Sequence, residues 1–143
     1  MFWTGAVKKP GKRKQYAALA WRNRGRGRQV LLISSRDTGR WVIPKGWPIK
    51  GLTPAETAAR EAFEEAGLGG QISKEPIGEF EYAKRLDNGR LQPCRVEVFA
   101  LHKQVQHEEW PEQGQRRLRW FSVREAAEAV DEPDLGRIIK NLK

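Results

Sequence analysis

Residues 53–67, TPAETAAREAFEEAG, form the segment that most constrains the fold. Thr53 can cap a helix, the proline after it suits the first helical position, and Glu56 completes a Thr-x-x-Glu capping box. Gly67, or the glycine pair 69–70, is suited to end the helix in a left-handed conformation. The sequence therefore predicts a helix that begins at Thr53 and ends close to Gly67.

The two sides of this helix differ in chemistry. At about 100° per residue, Glu61, Glu64 and Glu65 fall within an arc of roughly 100°. Small and apolar residues occupy the opposite side: Ala55, Ala59, Ala62, Phe63 and Ala66. An alanine face allows a helix to pack closely on a sheet, and that packing would hold the backbone from which the carboxylates project.

Three carboxylates at this spacing repel one another, at a cost of roughly a few tenths of a kcal/mol per pair. A divalent cation bound among them removes the cost, because Mg²⁺ prefers oxygen ligands and keeps waters that phosphate oxygens can replace. Arg60 can pair with Glu64 or Glu56, but one guanidinium cannot neutralise the cluster. A solvated acidic face balanced by basic neighbours is the alternative, and it is the commoner explanation for a glutamate-rich helix.

The rest of the chain alternates between short elements. Runs of β-branched and aromatic residues bounded by glycine, proline or Asn-Gly predict strands at 15–21, 29–35, 41–44, 77–86, 94–105 and 118–121. Ser122 and Glu125 repeat the capping-box pattern and predict a helix through Val130, and residues 134–142 predict one or two further helical turns. The pattern indicates an α+β domain with a mixed sheet.

Length and composition favour a single cytoplasmic domain. With 143 residues, 38% of them hydrophobic, the chain can build one core, so we expect one domain over residues 1–143. The single cysteine, Cys94, excludes an internal disulfide and is expected to pack in the core. Residues 1–14 lack the long apolar stretch of a signal peptide and no run is long enough to span a membrane, which predicts a cytoplasmic protein without membrane contact.

The excess of positive charge predicts a polyanionic ligand. The 27 lysines and arginines against 18 acidic residues give a net charge of +9, which attracts nucleic acid, nucleotides or phosphorylated small molecules. Two runs, KKPGKRK (8–14) and RNRGRGR (22–28), concentrate this charge in segments that glycine and proline mark as loops. A basic surface that only aids solubility is the alternative.

Residues 46–68, GWPIKGLTPAETAAREAFEEAGL, resemble the Nudix box, in which Gly, five residues, Glu and seven residues precede Arg-Glu-aliphatic-x-Glu-Glu-x-Gly-aliphatic. The positions that match are Gly46, Arg60, Glu61, Glu64, Glu65, Gly67 and Leu68. Leu52 stands where the family has its first glutamate, and Ala62 is small for the aliphatic position. Because that first glutamate supports the box arginine in the family, we hypothesise that Glu56 supplies a substitute ion pair to Arg60.

The resemblance continues along most of the chain. The segments 12–22, 29–46, 96–101 and 108–130 are similar in order and character to the diphosphoinositol polyphosphate phosphohydrolase branch of the Nudix hydrolases. This resemblance implies a Nudix fold, a mixed β-sheet sandwiched between helices (α/β/α). It also implies hydrolysis of a phosphoanhydride in a highly phosphorylated small molecule, with Mg²⁺ or Mn²⁺. Branches that act on dinucleoside polyphosphates, ADP-ribose or capped RNA share the box and remain alternatives.

The resemblance also assigns roles to residues. It implies a catalytic set of Arg60, Glu61, Glu64 and Glu65, in which the three glutamates are the metal ligands. Glu65 is our choice of general base, with Glu108, Glu109 and Glu112 of the later loop as alternatives. The implied substrate-binding residues are Arg13, Lys14, Ser34, Ser35, Arg36, Lys45, Gly46 and Arg116. Lys45 occupies a position where the resembled branch has glycine, which adds a cation or narrows the site.

A second function class is a basic RNA-binding module that keeps the fold without turnover, and a third is an RNA 5′-pyrophosphohydrolase. The run 22–28 and the loss of the first box glutamate favour RNA binding, which we expect to be weak and nonspecific; the acidic triplet argues against pure polyanion binding. His102 and His107 lack the spacing of metal ligands and predict packing or exposure. Trp47 and Trp110 lie in loops that could border a substrate and stack on a base.

Overall fold

The computed structural model describes residues 11–142, without the side chain of Lys103. Within these residues the order of elements is β1 (Arg13–Arg24), β2 (Gly27–Ser34), β3 (Trp41–Val42), β4 (Lys45–Gly46), α1 (Pro54–Ala66), β5 (Leu68–Ile72), β6 (Gly78–Arg85), β7 (Leu91–Gln106), β8 (Leu118–Ser122), α2 (Val123–Ala129) and α3 (Pro133–Lys140). None of the helices in the described part of the chain is long and apolar enough to cross a membrane.

Strand β1 is the centre of a mixed sheet. It pairs antiparallel with β2, where Trp21 lies opposite Val30, and parallel with β7, where Ala17 lies opposite Val98. Strands β5 and β6 pair antiparallel with different parts of β7, β4 pairs with β1, and β3 and β8 both pair with β2. The parallel pair beside antiparallel ones is the mixed arrangement that the sequence predicted.

Both faces of β1 are buried, because successive strand residues point to opposite sides. Ala18 and Ala20 pack with the face of α1, whereas Ala17 and Leu19 pack with residues of α2 and α3 such as Leu135. All of these side chains are at most 2% exposed. The sheet therefore lies between α1 on one side and the α2–α3 pair on the other, which confirms the α/β/α prediction.

Helix α1 begins and ends where the sequence predicted. The hydroxyl of Thr53 accepts a hydrogen bond from the Glu56 N–H at 3.1 Å, and the Glu56 carboxylate accepts one from the Thr53 N–H at 2.9 Å. Gly67 ends the helix with φ of 69°, in the left-handed region, and the Trp110 ring lies where a β-carbon on Gly67 would have to go. Both ends of the helix are therefore fixed by local interactions.

The buried side of α1 is rotated from the predicted one. Ala58, Ala62 and Ala66 are 0–1% exposed and face the sheet, whereas the predicted core residues Ala59 and Phe63 are only half-buried. The stripe made only of alanines faces the sheet because its small side chains permit the closest approach of helix and sheet. This rotation turns part of the acidic face inward.

Two strands were missed by the sequence analysis. Strand β5 starts directly after Gly67 because the glycine pair 69–70, interpreted as a helix end, instead forms an irregularity in a strand paired with β7. Strand β4 is two residues long and is defined by its pairing with Tyr16 and Ala17. Both strands depend on pairing with distant residues, which short local patterns do not report.

The substitution Gly67→Ala should destabilise the protein by about 2–3 kcal/mol. The left-handed backbone costs a non-glycine residue about 1–2 kcal/mol, and the new methyl group must also displace the Trp110 ring. Urea unfolding of the two proteins measures the difference. Gly89→Ala is a matched control, since Gly89 has φ of 83° and open space where a β-carbon would be added; equal losses for the two variants would contradict a specific contact with Trp110.

Candidate active site

A cleft with a volume of about 870 Å³ opens beside the acidic face of α1. Strand β4, the loop after β2, the paired strands β6 and β7, and the loop before β8 form its other walls. Its basic lining residues are Arg36, Arg40, Lys45, Lys84, Arg85 and Arg116. Its acidic lining residues are Asp37, Glu61, Glu64, Glu65 and Glu112. The cleft therefore combines a carboxylate cluster with a larger number of cations.

The backbone of Gly46 lies directly against the carboxyl group of Glu61. A β-carbon at Gly46 would collide with the carboxyl carbon and Oε1 of Glu61. Gly46 is held there because β4 pairs with β1, opposite Tyr16. A side chain at this position would therefore displace the Glu61 carboxyl group, because the loop approaches the helix carboxylate closely; the φ angle of Gly46 is not the constraint.

Glu61 and Glu65 form a tightly coupled acidic pair. They lie four residues apart on α1, and their carboxyl groups share a hydrogen bond. Burial, this hydrogen bond and the charge of Glu65, with smaller contributions from Glu64 and Glu112, raise the pKa of Glu61 to about 8. The pair therefore retains a proton near neutral pH unless a cation replaces it.

Arg116 links the buried carboxylates of the cleft. Its Nη2 lies 3.7 Å from Oε1 of Glu65, and its Nε donates to Oε1 of Glu112 at 3.0 Å. The side chains of Arg116 and Glu65 are only 9% and 8% exposed, so this is a buried ion pair. Burial raises the pKa of Glu65, and the Arg116 charge opposes the rise. Removal of Arg116 would leave the buried Glu65 carboxylate without this partner, whereas removal of Glu65 would leave Arg116 paired with Glu112.

Lys45 places a cation on the floor of the cleft. Its Nζ lies 4.9 Å from the centre of the Tyr82 ring. Burial lowers the pKa of Lys45 to about 8, although the nearby Glu65 charge opposes the shift. An anion bound against this ammonium would favour its charged form and offset the burial cost.

The acidic triplet offers oxygen donors that suit a hard cation, but its three side chains do not converge. Among the residues that the structure describes, no three acidic, histidine or cysteine side chains are grouped closely enough to hold an ion. Glu64 instead lies 3.9 Å from Nη1 of Arg60. Glu61 and Glu65 lie on one face of α1, and burial with the neighbouring carboxylates raises the pKa of Glu61, so the oxygen donors of this pair fit a divalent cation.

Eight of the predicted site residues line the cleft together: Ser35, Arg36, Lys45, Gly46, Glu61, Glu64, Glu65 and Arg116. They come from four segments that are distant in sequence. Glu112, named as an alternative base, also lines the cleft and is held by Arg116 and by Arg36, whose Nη1 lies 3.6 Å away. Glu108 and Glu109 do not line it.

Four predicted residues lie outside the lining of the cleft. Arg13 stacks over Trp47 at 4.1 Å, and Lys14 pairs with Glu97 at 3.3 Å. The Ser34 hydroxyl is buried and accepts a hydrogen bond from the backbone of residue 117 at 2.8 Å. Arg60 reaches the cleft only through its contact with Glu64, so it positions that carboxylate.

The hypothesis that Glu56 pairs with Arg60 is wrong. The Glu56 carboxylate accepts the backbone N–H of Thr53, and this hydrogen bond lowers the pKa of Glu56. Arg60 pairs with Glu64 instead. The capping box and the ion pair compete for one carboxylate, and the local backbone donor is the partner that Glu56 contacts.

The minor predictions for the histidines, cysteine and tryptophans are confirmed in part. The His102 ring stacks on Trp21 at 3.9 Å, and Cys94 is fully buried. Trp47 lines the cleft, whereas Trp110 packs over Gly67 at the end of α1.

Sequence reasoning missed most of the cleft wall formed by β6 and β7. The lining residues of that wall are Tyr82, Ala83, Lys84, Arg85 and Leu91; Gln15 of β1 and Asp37, Thr38 and Arg40 of the loop after β2 were also missed. The only sequence signal was the pair Lys84-Arg85 at the end of a predicted strand. Which end of that strand meets α1 depends on the pairing of β6 with β7, so the signal could not be assigned to the cleft.

Comparison with known proteins agrees with this geometry. The NUDIX domain model matches residues 13–142. Nudix hydrolase 12, mitochondrial, from Arabidopsis thaliana is 37% identical over 103 residues, which cover 70% of this chain and 51% of the relative. Diphosphoinositol polyphosphate phosphohydrolase 3-beta from Bos taurus is 30% identical over 122 residues, which cover 84% of this chain and 70% of the relative. The chain thus spans about half the length of the plant relative.

Solved structures share the fold at low sequence identity. The Ap4A hydrolase of C. elegans superposes with a TM-score of 0.64 and 17% identity, covering 91% of this chain and 95% of that chain. The NUDIX domain of Shewanella oneidensis NrtR, solved with ADP ribose, superposes with a TM-score of 0.66 and 14% identity, covering 97% of this chain and 92% of that chain. Because the family model matches residues 13–142, the chain belongs to the Nudix hydrolase family.

Proposed function

We propose that this chain hydrolyses phosphoanhydride bonds in highly phosphorylated small molecules, with Mg²⁺ or Mn²⁺ as cofactor. Diphosphoinositol polyphosphates and dinucleoside polyphosphates are the proposed substrates. The observation that carries the proposal is the placement of the glutamate cluster and six basic side chains around one cleft. Charge of both signs suits a metal-bound polyphosphate better than it suits a simple anion.

The basic residues of the cleft differ in how far they are already neutralised. Arg116 and Arg40 form ion pairs as short as 3.0 Å and 2.8 Å. Lys45, Lys84 and Arg85 form no ion pair with any side chain in the described residues. These three cations are therefore available to phosphate groups, and more than one phosphate is needed to use them all.

Glu61, Glu64 and Glu65 are the proposed metal ligands. A bound divalent cation supplies charge neutralisation on the phosphoryl oxygens and lowers the pKa of a coordinated water. Arg60 would orient Glu64, while the close contact of Gly46 restricts the rotamers of Glu61. The helix backbone beneath all three is fixed by its packing on the sheet.

Glu65 remains the proposed general base. Its contact with Arg116 orients one carboxylate oxygen, and the other is free of that ion pair. Lys45 lies near Glu65, so its ammonium can bind the phosphate under attack or the phosphate that leaves. The carboxylate of Glu112 already pairs with both Arg36 and Arg116, which makes Glu112 a weaker candidate for the base.

Two further observations bear on the substrate. A relative covered over 70% of its length is named as a diphosphoinositol polyphosphate phosphohydrolase, and the three unpaired cations suit such a substrate. Trp47 borders the cleft and can stack on a nucleobase, which favours a dinucleoside polyphosphate. A panel of both classes, with ADP-ribose and 5′-triphosphate RNA, separates these possibilities.

The variants Glu64→Gln and Glu65→Gln should each lose at least tenfold in kcat with Mg²⁺ or Mn²⁺. Each substitution replaces a charged metal ligand by a neutral amide at nearly unchanged volume. Phosphate release from the substrate panel measures the effect. Glu75→Gln is the control, because Glu75 is an exposed glutamate far from the cleft lining. Unchanged turnover in both box variants would contradict the proposed function.

The double variant Lys84→Gln/Arg85→Gln should raise KM for a diphosphoinositol polyphosphate by at least tenfold, with a smaller change in kcat. The two cations are expected to bind phosphates that do not react, and tenfold corresponds to about 1.4 kcal/mol of binding. Steady-state kinetics give the result. Arg124→Gln/Arg137→Gln removes the same charge from α2 and α3 and should leave KM unchanged. The effect should be smaller for ADP-ribose, which has two phosphates; an equal effect would contradict polyphosphate recognition.

Metal-free protein should become less stable as the pH rises from 4.5 to 8, because the folded state holds a proton on Glu61 that the unfolded chain releases. The pKa of Glu61 rises from 4.5 to about 8 on folding, so its stabilising contribution is complete below pH 4.5 and is lost by about pH 8. The variant Glu61→Gln has a neutral amide at this position, which does not ionise in this pH range. In EDTA at pH 8.5 its Tm should exceed that of the parent by at least about 3 °C, with a smaller difference at pH 5.5.

Addition of Mg²⁺ at pH 8.5 should raise the Tm of the parent protein and have little effect on Glu61→Gln. Differential scanning calorimetry at both pH values provides the measurement. Glu75→Gln again serves as the control and should follow the parent. A difference between parent and Glu61→Gln that stays constant with pH would rule out protonation of Glu61 as its cause.

A further inference from the structure

The basic run 22–28 lies at the opposite end of the sheet from the cleft. It forms the hairpin between β1 and β2, in which Arg24 pairs with Gly27 and Gly25 adopts a φ of 58°. Gln15, at the other end of β1, lines the cleft. The nine residue-to-residue steps from Gln15 to Arg24 correspond to about 30 Å along an extended strand. The hairpin therefore takes no part in the proposed hydrolysis.

The hairpin carries concentrated charge without compensation. Its four arginines, at positions 22, 24, 26 and 28, form no ion pair with any carboxylate of the described residues. Arg24 and Arg26 are exposed at the tip. Four like charges in seven residues repel one another, and a bound polyanion would remove that repulsion.

Aromatic rings flank this charge on both faces of the hairpin. The guanidinium of Arg22 lies 4.0 Å from the Trp120 ring on one face, and that of Arg28 lies 4.3 Å from the Trp21 ring on the other. A groove of about 410 Å³ begins at Arg22 and continues along Trp120 and His102. Arg22 and Arg24, two residues apart in β1, point to the same side, so the charged tip adjoins the groove.

We propose that the arginine hairpin and the adjoining groove form a binding site for single-stranded RNA, separate from the catalytic cleft. Arg24 and Arg26 contact phosphates at the tip. A nucleobase enters the groove, where Arg22 and Trp120 present a stacked guanidinium and indole. A single strand presents unstacked bases that can enter such a groove, whereas the bases of a duplex remain paired and stacked.

The chemistry of the hairpin favours this ligand over other polyanions. All four cations are arginines, whose planar guanidinium groups bind phosphate with two hydrogen bonds and stack on bases. The large exposed hydrophobic side chains of the described residues, Ile77, Leu91 and Val105, lie outside the hairpin. A membrane surface would find no apolar side chain to insert at its tip.

The test is binding of a fluorescent oligouridylate 12-mer with a 5′-hydroxyl, measured by anisotropy in EDTA over a range of salt concentrations. This ligand carries no phosphoanhydride and the assay needs no turnover, so its result is independent of the proposed hydrolysis. Arg24→Gln/Arg26→Gln should weaken binding at least fivefold. It should also reduce the salt slope by about 1.4, which is the value for two phosphate contacts on a single strand.

Matched controls separate a site from general charge. Arg124→Gln/Arg137→Gln removes two exposed cations elsewhere and should change the affinity less than twofold. An abasic 12-mer with the same phosphates should bind the parent at least fivefold more weakly, because it has no base for the groove. Phosphate release from the small-molecule panel should be unchanged in Arg24→Gln/Arg26→Gln, and equal thermal melting shows that the hairpin variant is folded.

Three outcomes would overturn the inference. If the hairpin variant bound RNA as tightly as the parent protein, the two arginines would not be part of the binding site. An equal loss in the control variant, or equal affinity for the abasic strand, would reduce the binding to nonspecific charge. Hairpin-dependent binding of phosphatidylserine vesicles without binding of RNA would make the tip a membrane contact.

Discussion

The packing of an alanine stripe on the central strand is the contact on which the site depends. Ala58, Ala62 and Ala66 of α1 are fully buried against a face of the sheet that includes Ala18 and Ala20. Small side chains on both surfaces allow the helix to lie close to the strands. Glu65 borders this stripe and is only 6% exposed, whereas Glu61 and Glu64 are partly exposed to the cleft. The packing of the helix thus decides which carboxylate is buried.

The carboxylates of the cleft differ in how closely positive charges neutralise them. Glu65 has Arg116 as a close partner, and Glu112 has both Arg116 and Arg36. Glu61 instead lies against the backbone of Gly46 and keeps a proton. The desolvation that raises its pKa makes it a strong ligand for a cation, because ion binding removes the same penalty. The folded protein therefore carries a local cost that a metal would offset.

The two ends of the β1–β2 pair also differ in how far their charged side chains are neutralised by partners. At the cleft, acidic and basic side chains alternate, and several cations are already paired. At the hairpin, four arginines have no acidic partner among the described residues, and two of them lie over tryptophan rings. The length of β1 separates these two regions, so their charges act on different parts of the surface.

The sequence alone determined the limits of α1 and the identity of its carboxylates, because caps and helical spacing are properties of neighbouring residues. It also predicted the mixed sheet between helices. It did not determine which stripe of α1 is buried, or that Lys84 and Arg85 would line the same cleft as Glu61. Those outcomes depend on strand pairing and helix docking between residues far apart in the chain, and only the tertiary structure decides them.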